Sequence, residues 1–271
     1  MNKSLKYVLF SLVALQAVSQ NINSTPNVLF IMVDDLRPEL NVYGKDFIKS
    51  PNIDALAEMG VRYTQFMNTS RCCPSRAALL SGNYPHHVNM GWMTAVDEHR
   101  DGYRGELTAA YPTLAEILSG ANYATAMSGK WHLTLDLRIE EPPNGSWPTE
   151  RGFDQFFGCL AGGGSYRRHG RYVDGTEFIP KESLPSGFYY TDAITTRAVK
   201  FIEDHEPSQP LFLYLAHYAP HRPLDAPKNR TEIYFEFENH VGEEKKFLHA
   251  IVKELVEFKK FKIFIRYINH W

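Results

Sequence analysis

The chain has 271 residues, 44% of them hydrophobic and 22% charged, which is enough apolar material for a substantial core and excludes a disordered chain. Its formal net charge of -2 gives no global attraction to nucleic acid or to an anionic membrane. Any basic residue that binds an anion must therefore be argued locally. At the N-terminus, Lys3 and Lys6 precede an apolar stretch from Tyr7 to Ala17, and the small residues Ala17, Val18 and Ser19 follow. This is the pattern of a signal peptide over residues 1–19, which predicts a secreted, periplasmic or lysosomal product; an uncleaved anchor is the alternative reading.

Residues Asn27–Val33 (NVLFIMV) form a continuous apolar, β-branched run that breaks into Asp34 and Asp35. That is the signature of a buried parallel strand carrying carboxylates at its C-terminal end. Asn52 is placed to cap a helix bearing Ile53, Leu56, Ala57 and Met59, with Gly60 as its stop. Pro74 is expected at a first helical position, opening a short helix through Leu80 that Gly82 ends. A helix over Thr113–Leu118 leads to a strand over Tyr123–Met127 and then to Gly129-Lys130-Trp131-His132. Residues 139–190, rich in Gly, Pro and aromatics, are expected as surface loops. A helix over Thr191–Asp204 precedes a strand over Leu211–Ala216, and the Lys/Phe-rich stretch Glu243–Phe264 reads as one helix with no strand to follow. Strands that alternate with helices predict an α/β sheet whose polar clusters collect at the C-terminal strand ends.

Four of these clusters can carry chemistry. Two adjacent carboxylates, Asp34 and Asp35, suggest a hard, oxygen-coordinated divalent ion such as calcium or magnesium between them; solvated acids capping a loop are the plainer alternative. A helix starting beside Cys72 aims free backbone N–H groups at it, and Arg76 adds a fixed cation one turn on, which together make an anion site. Cys72, Cys73 and Cys159 are odd in number, so in an exported chain at least one thiol is free or modified; a buried or disulfide-bonded Cys72 is the plainer alternative. Lys130 would bind an oxyanion and His132 would move protons. His221 follows a strand end between Pro220 and Pro223, which fix the turn around it.

The run Cys72-x-Pro74-Ser75-Arg76, continued by Ala77-Ala78-Leu79-Leu80-Ser81-Gly82, resembles the signature of the formylglycine-dependent sulfatases, in particular the arylsulfatases. Gly129-Lys130-Trp131-His132-Leu133 matches their second signature. Asn27–Asp35, Pro51-Asn52-Ile53-Asp54, Arg151-Gly152-Phe153-Asp154 and Ala219-Pro220-His221-x-Pro223 extend the resemblance over residues 26–228. It implies an alkaline-phosphatase-like mixed or parallel sheet flanked by helices. Residues 229–271 are set apart as a tail unlike the family, and the expected C-terminal part, with its Asp-Asn-Gly run and further lysine, is not found.

The resemblance also implies a sulfuric ester hydrolase in which a formylglycine-generating enzyme converts Cys72 to formylglycine. One hydroxyl of the hydrated aldehyde would attack sulfur, and the other would lose its proton to His132 as sulfate leaves. Asp34, Asp35 and the modified Cys72 would hold one Ca2+, with Mg2+ the lesser candidate; Arg76 and Lys130 would draw charge from the sulfate oxygens, and His221 would protonate the leaving group. Expected substrates are sulfated small molecules or saccharides, chosen by the loops between Glu140 and Tyr190. Within them Arg167, Arg168, His169 and Arg171 favour a polyanion. The competing expectation is an inactive remnant or a binder of sulfated ligands.

Overall fold

A computed structural model describes residues 25–45, 50–167, 171–227 and 261–268. The signal stretch, Arg168 and His169, and residues 228–260 lie outside the described residues. Strand β1 (Asn27–Asp34) runs parallel to two neighbours, β6 (Leu211–His217) and β7 (Phe261–Ile268). Strand β2 (Ala124–Lys130) runs parallel to β6 on one side and to β3 (Gln155–Cys159) on the other. Antiparallel β4 (Tyr172–Asp174) and β5 (Glu177–Phe178) close that edge, giving the order β5-β4-β3-β2-β6-β1-β7. Every residue of β6 is buried, which is why its sequence LFLYLAH shows no polar alternation.

Helix α1 (Pro51–Glu58) starts two residues earlier than Asn52 would set it: Ser50 is the N-cap and Pro51 takes the first turn, where its missing N–H costs nothing. Helix α2 (Cys72–Ser81) also starts early, with Arg71 as N-cap, so both cysteines lie inside its first turn instead of before it. It ends at Gly82 in the left-handed region, φ 67°. In α3 (Leu114–Gly120), Thr113 and Glu116 form a reciprocal capping box, in which the Glu116 N–H donates to Thr113 Oγ1 over 3.1 Å. Helix α4 (Tyr190–Glu203) turns Ile194, Ala198 and Phe201 inward.

Two expectations fail. Residues 139–190 are not loops alone but carry β3, β4 and β5, and of the predicted helix over Glu243–Phe264 the described part, from Phe261 on, belongs to strand β7. In β7 the residues read FKIFIRYI, an alternating β-branched and aromatic pattern that suits a strand beside β1 as well as a helix.

The segment Arg151-Gly152-Phe153-Asp154 is an architectural staple. Buried Arg151 donates to the carbonyls of Thr108 at 2.9 Å and Tyr111 at 2.8 Å and pairs with Glu116 at 3.1 Å. Phe153 stacks on Phe212, with centroids 6.0 Å apart, and on Tyr214 at 6.1 Å. Asp154 accepts the Thr125 N–H at 2.9 Å, tying the start of β3 to β2. Through these contacts β2 is held in register with β6, and their C-terminal ends come level with Asp34.

Candidate active site

Asp34 ends β1, Lys130 ends β2, and α2 brings Cys72 and Arg76 to the same place; all four side chains are buried. The Lys130 ammonium donates to Asp34 Oδ2, Arg76 Nη2 lies 3.4 Å from the same oxygen, and Arg76 Nη1 donates to the Lys130 carbonyl at 2.5 Å. Burial alone would raise the Asp34 carboxyl, but Lys130 and then Arg76 outweigh it and hold the group below the usual carboxylate range. Asp34 Oδ1 has no hydrogen-bond partner among the described residues. A buried carboxylate oxygen of this kind fits a hard cation in donor type.

Cys72 sits at the positive end of α2. A hydrogen bond from Cys73 comes first among the causes that hold its thiol far below the ordinary range, and Lys130 and His132 add to it against the cost of burial. Burial pushes His132 down, so its imidazole is neutral at pH 7 and able to accept a proton. Its backbone lies in the left-handed region, φ 60°, a conformation seldom adopted without a structural reason. Its ring lies against Gly162, where a Cβ would stand 1.8 Å from His132 Nε2, so only glycine leaves the ring its place. Gly129 is fixed in the same manner, since a Cβ on it would meet the Ala216 carbonyl at 2.0 Å.

His221 stacks on Tyr218, with centroids 5.0 Å apart, and its Nδ1 lies 2.5 Å from the Arg222 carbonyl. Tyr218 also places its ring 5.3 Å from the Lys130 ammonium, so one tyrosine links His221 to the buried ion cluster. Asp35 follows β1 in the left-handed region, φ 56°, which turns its side chain out of the strand alternation.

The six side chains Asp34, Cys72, Arg76, Lys130, His132 and His221 are thus connected around the strand ends, either directly or through Tyr218. Sequence reasoning missed Cys73, Tyr218 and Gly162. A run of three glycines, Gly162 to Gly164, was the available signal for the last. The basic loop is partly neutralised: Arg167 forks onto Asp225 at 2.8 and 3.1 Å, and Arg171 lies 3.4 Å from Glu140. All three cysteines are free thiols.

The profile of the Sulfatase family matches residues 26–269. The chain belongs to the sulfatase family. The match runs past residue 228 and takes in β7, part of the tail that sequence reading had set apart. An arylsulfatase of Klebsiella aerogenes is 34% identical over 216 residues, covering 74% of this chain and 44% of that protein. An uncharacterized sulfatase of Schizosaccharomyces pombe is 36% identical over 234 residues, covering 77% of this chain and 40% of its own. This sulfatase chain therefore spans less than half the length of these relatives.

Among solved structures, one protein in complex with its substrate D-glucosamine-2-N,6-O-disulfate is 27% identical, with a TM-score of 0.58 over 78% of this chain and 38% of that one. Another, in complex with k-i-k-neocarrahexaose, gives a TM-score of 0.74 at 24% identity over 90% of this chain and 58% of that one, a likeness of fold. Sulfatases of this family use a metal ion and a formylglycine. No helix among the described residues is long and apolar enough to cross a membrane.

Proposed function

We propose that the chain is a sulfuric ester hydrolase whose nucleophile is a formylglycine made from Cys72. The observation that carries this reading is the position of Cys72 at the N-terminus of α2, beside neutral His132 and two buried cations. Once formed, formylglycine supplies a hydrated aldehyde with one hydroxyl to attack sulfur and a second to release sulfate. Arg76 and Lys130 are fixed before substrate arrives, so they draw charge from the sulfate oxygens without reorganising. His132 Nε2, held by Gly162, takes the proton that sulfate release requires. Beyond Tyr218, His221 would protonate the departing alcohol oxygen in its imidazolium form, which burial and then Lys130 disfavour at pH 7.

Asp34 and Asp35, with an oxygen of the modified Cys72, would hold one Ca2+, whose chemistry there is to polarise the sulfate. Sulfated saccharides are the favoured substrate class, because relatives are solved with sulfated sugars and the rim presents aromatic and cationic surface. The chain is read as exported, with its Cys72 converted by a formylglycine-generating enzyme. A second reading, ligand binding without turnover, draws on β7, where the register partner of Asp34 is Ile268, a residue type with no side-chain oxygen. Mass spectrometry of the peptide spanning Asn68 to Arg76, from a host with the generating enzyme, tests the assignment. An aldehyde at position 72 is expected, and an unmodified thiol in every molecule would contradict it.

A further inference from the structure

Cys73 takes no part in sulfate chemistry, yet it is buried and its Sγ lies 3.2 Å from His132 Nε2 and 3.7 Å from the thioether of Met93. Cys72 Sγ, Cys73 Sγ and a ring nitrogen of His132 all fall within 4.8 Å of one another. Two atoms bound to one ion at roughly 2.0–2.3 Å stand about 3.3–3.8 Å apart at tetrahedral angles. The separations at Cys73 are therefore close to those of a filled site.

We propose that, while Cys72 keeps its thiol, Cys72, Cys73, His132 and Met93 form a binding site for Cu(I). The donor set decides the class of ion. Three sulfurs, one of them a thioether, and one imidazole are soft ligands that select a d10 ion such as Cu(I), and the thioether is a poor ligand for the harder alternatives. Gly162 supports the site from below, since the close approach of its backbone fixes the plane of the His132 ring with Nε2 toward Cys73. Binding takes the Cys72 thiolate as it stands, exchanges the Cys73 thiol proton for the ion and changes no oxidation state. An ion held there occupies the sulfur that conversion to formylglycine consumes, so metal capture and maturation exclude each other at Cys72.

The site belongs to the thiol form, so its test does not depend on turnover. Protein whose mass shows an intact Cys72 thiol is titrated anaerobically against the chromophoric Cu(I) complex of bicinchoninate. The wild type is expected to withdraw one equivalent; Cys73→Ser should weaken capture at least tenfold, Met93→Leu by a smaller factor, and Cys159→Ser not at all. Tryptophan fluorescence identifies any variant that fails to fold, and Met93→Leu, a near-isosteric change, keeps the test open if Cys73→Ser does so. Absence of capture, equal capture by Cys73→Ser and Met93→Leu, or capture of Zn(II) with none of Cu(I) would overturn the assignment.

Discussion

His217 is buried at the end of β6, and neither ring nitrogen has a hydrogen-bond partner among the described residues. Burial lowers its pKa from 6.5 to about 3, so on acidification the unfolded chain takes up the proton first. Stability is thus complete above pH 6.5 and falls as the pH drops toward 3, by about 1.4 kcal/mol per pH unit. His217→Phe should flatten this acid limb by one proton in urea unfolding series, with no change above pH 7. The Asp34–Lys130 pair is costly to break from one side only. Lys130→Ala leaves a buried carboxylate with Arg76 alone, for an expected loss of about 3 to 5 kcal/mol. Asp34→Asn combined with Lys130→Met should cost less than the sum of the two single changes, because each single change leaves one member of the cluster uncompensated. Gly162→Ala tests the support under His132: the added methyl must displace the buried ring, so kcat should fall at least tenfold in protein that tryptophan fluorescence shows to be folded, and an unchanged kcat would remove the ring's positioning from the account. On the rim, Trp92 lies under the Arg71 guanidinium at 4.5 Å and is 41% exposed. Loss of its ring contact in Trp92→Ala should raise KM for a sulfated sugar by roughly tenfold, about 1.4 kcal/mol, with kcat nearly unchanged.

Among the elements, α3 shows what local sequence decides. Its capping box is written in Thr113 and Glu116, and Thr113 Oγ1 also donates to the Arg151 carbonyl at 2.8 Å. Thr113→Ala is expected to destabilise the chain by about 1 to 2 kcal/mol in denaturant unfolding. Strands β1 and β6 were legible because buried parallel strands carry uninterrupted apolar runs, β2 only through the short stretch Tyr123–Met127 before a polar end, and α4 because its apolar residues recur at helical spacing. The start of α2 was misplaced by two residues, since nothing local distinguishes Pro74 in a first turn from Pro74 at its first position. β3, β4 and β5 were hidden because they are short, and because pairing partners, not propensity, make them strands. The β7 segment alternates and is also amphipathic, so only its place beside β1 decides between strand and helix. That Asp34, Cys72, Arg76, Lys130, His132 and His221 gather near the strand ends was legible, because they are chemically distinctive residues; the roles given to them are the proposal. Cys73 and Tyr218 were not, because their importance lies in whom they touch.

At the scale of the whole molecule, one mixed sheet gathers its chemistry along one edge. Parallel β1, β2 and β6 end together, and α2 points its N-terminus at the line they form. β7 covers the far side of β1, so the first strand is paired on both flanks. The same arrangement that buries the charges also makes them preorganised, which is the condition for stabilising a sulfate transition state. The most direct measurement of that claim is turnover of 4-nitrocatechol sulfate, with Ca2+ present, by protein carrying an aldehyde at position 72, beside a Cys72→Ala control. The account predicts hydrolysis that is abolished in Cys72→Ala. Equal rates in the two proteins, or no turnover by chain that carries the aldehyde, would contradict it.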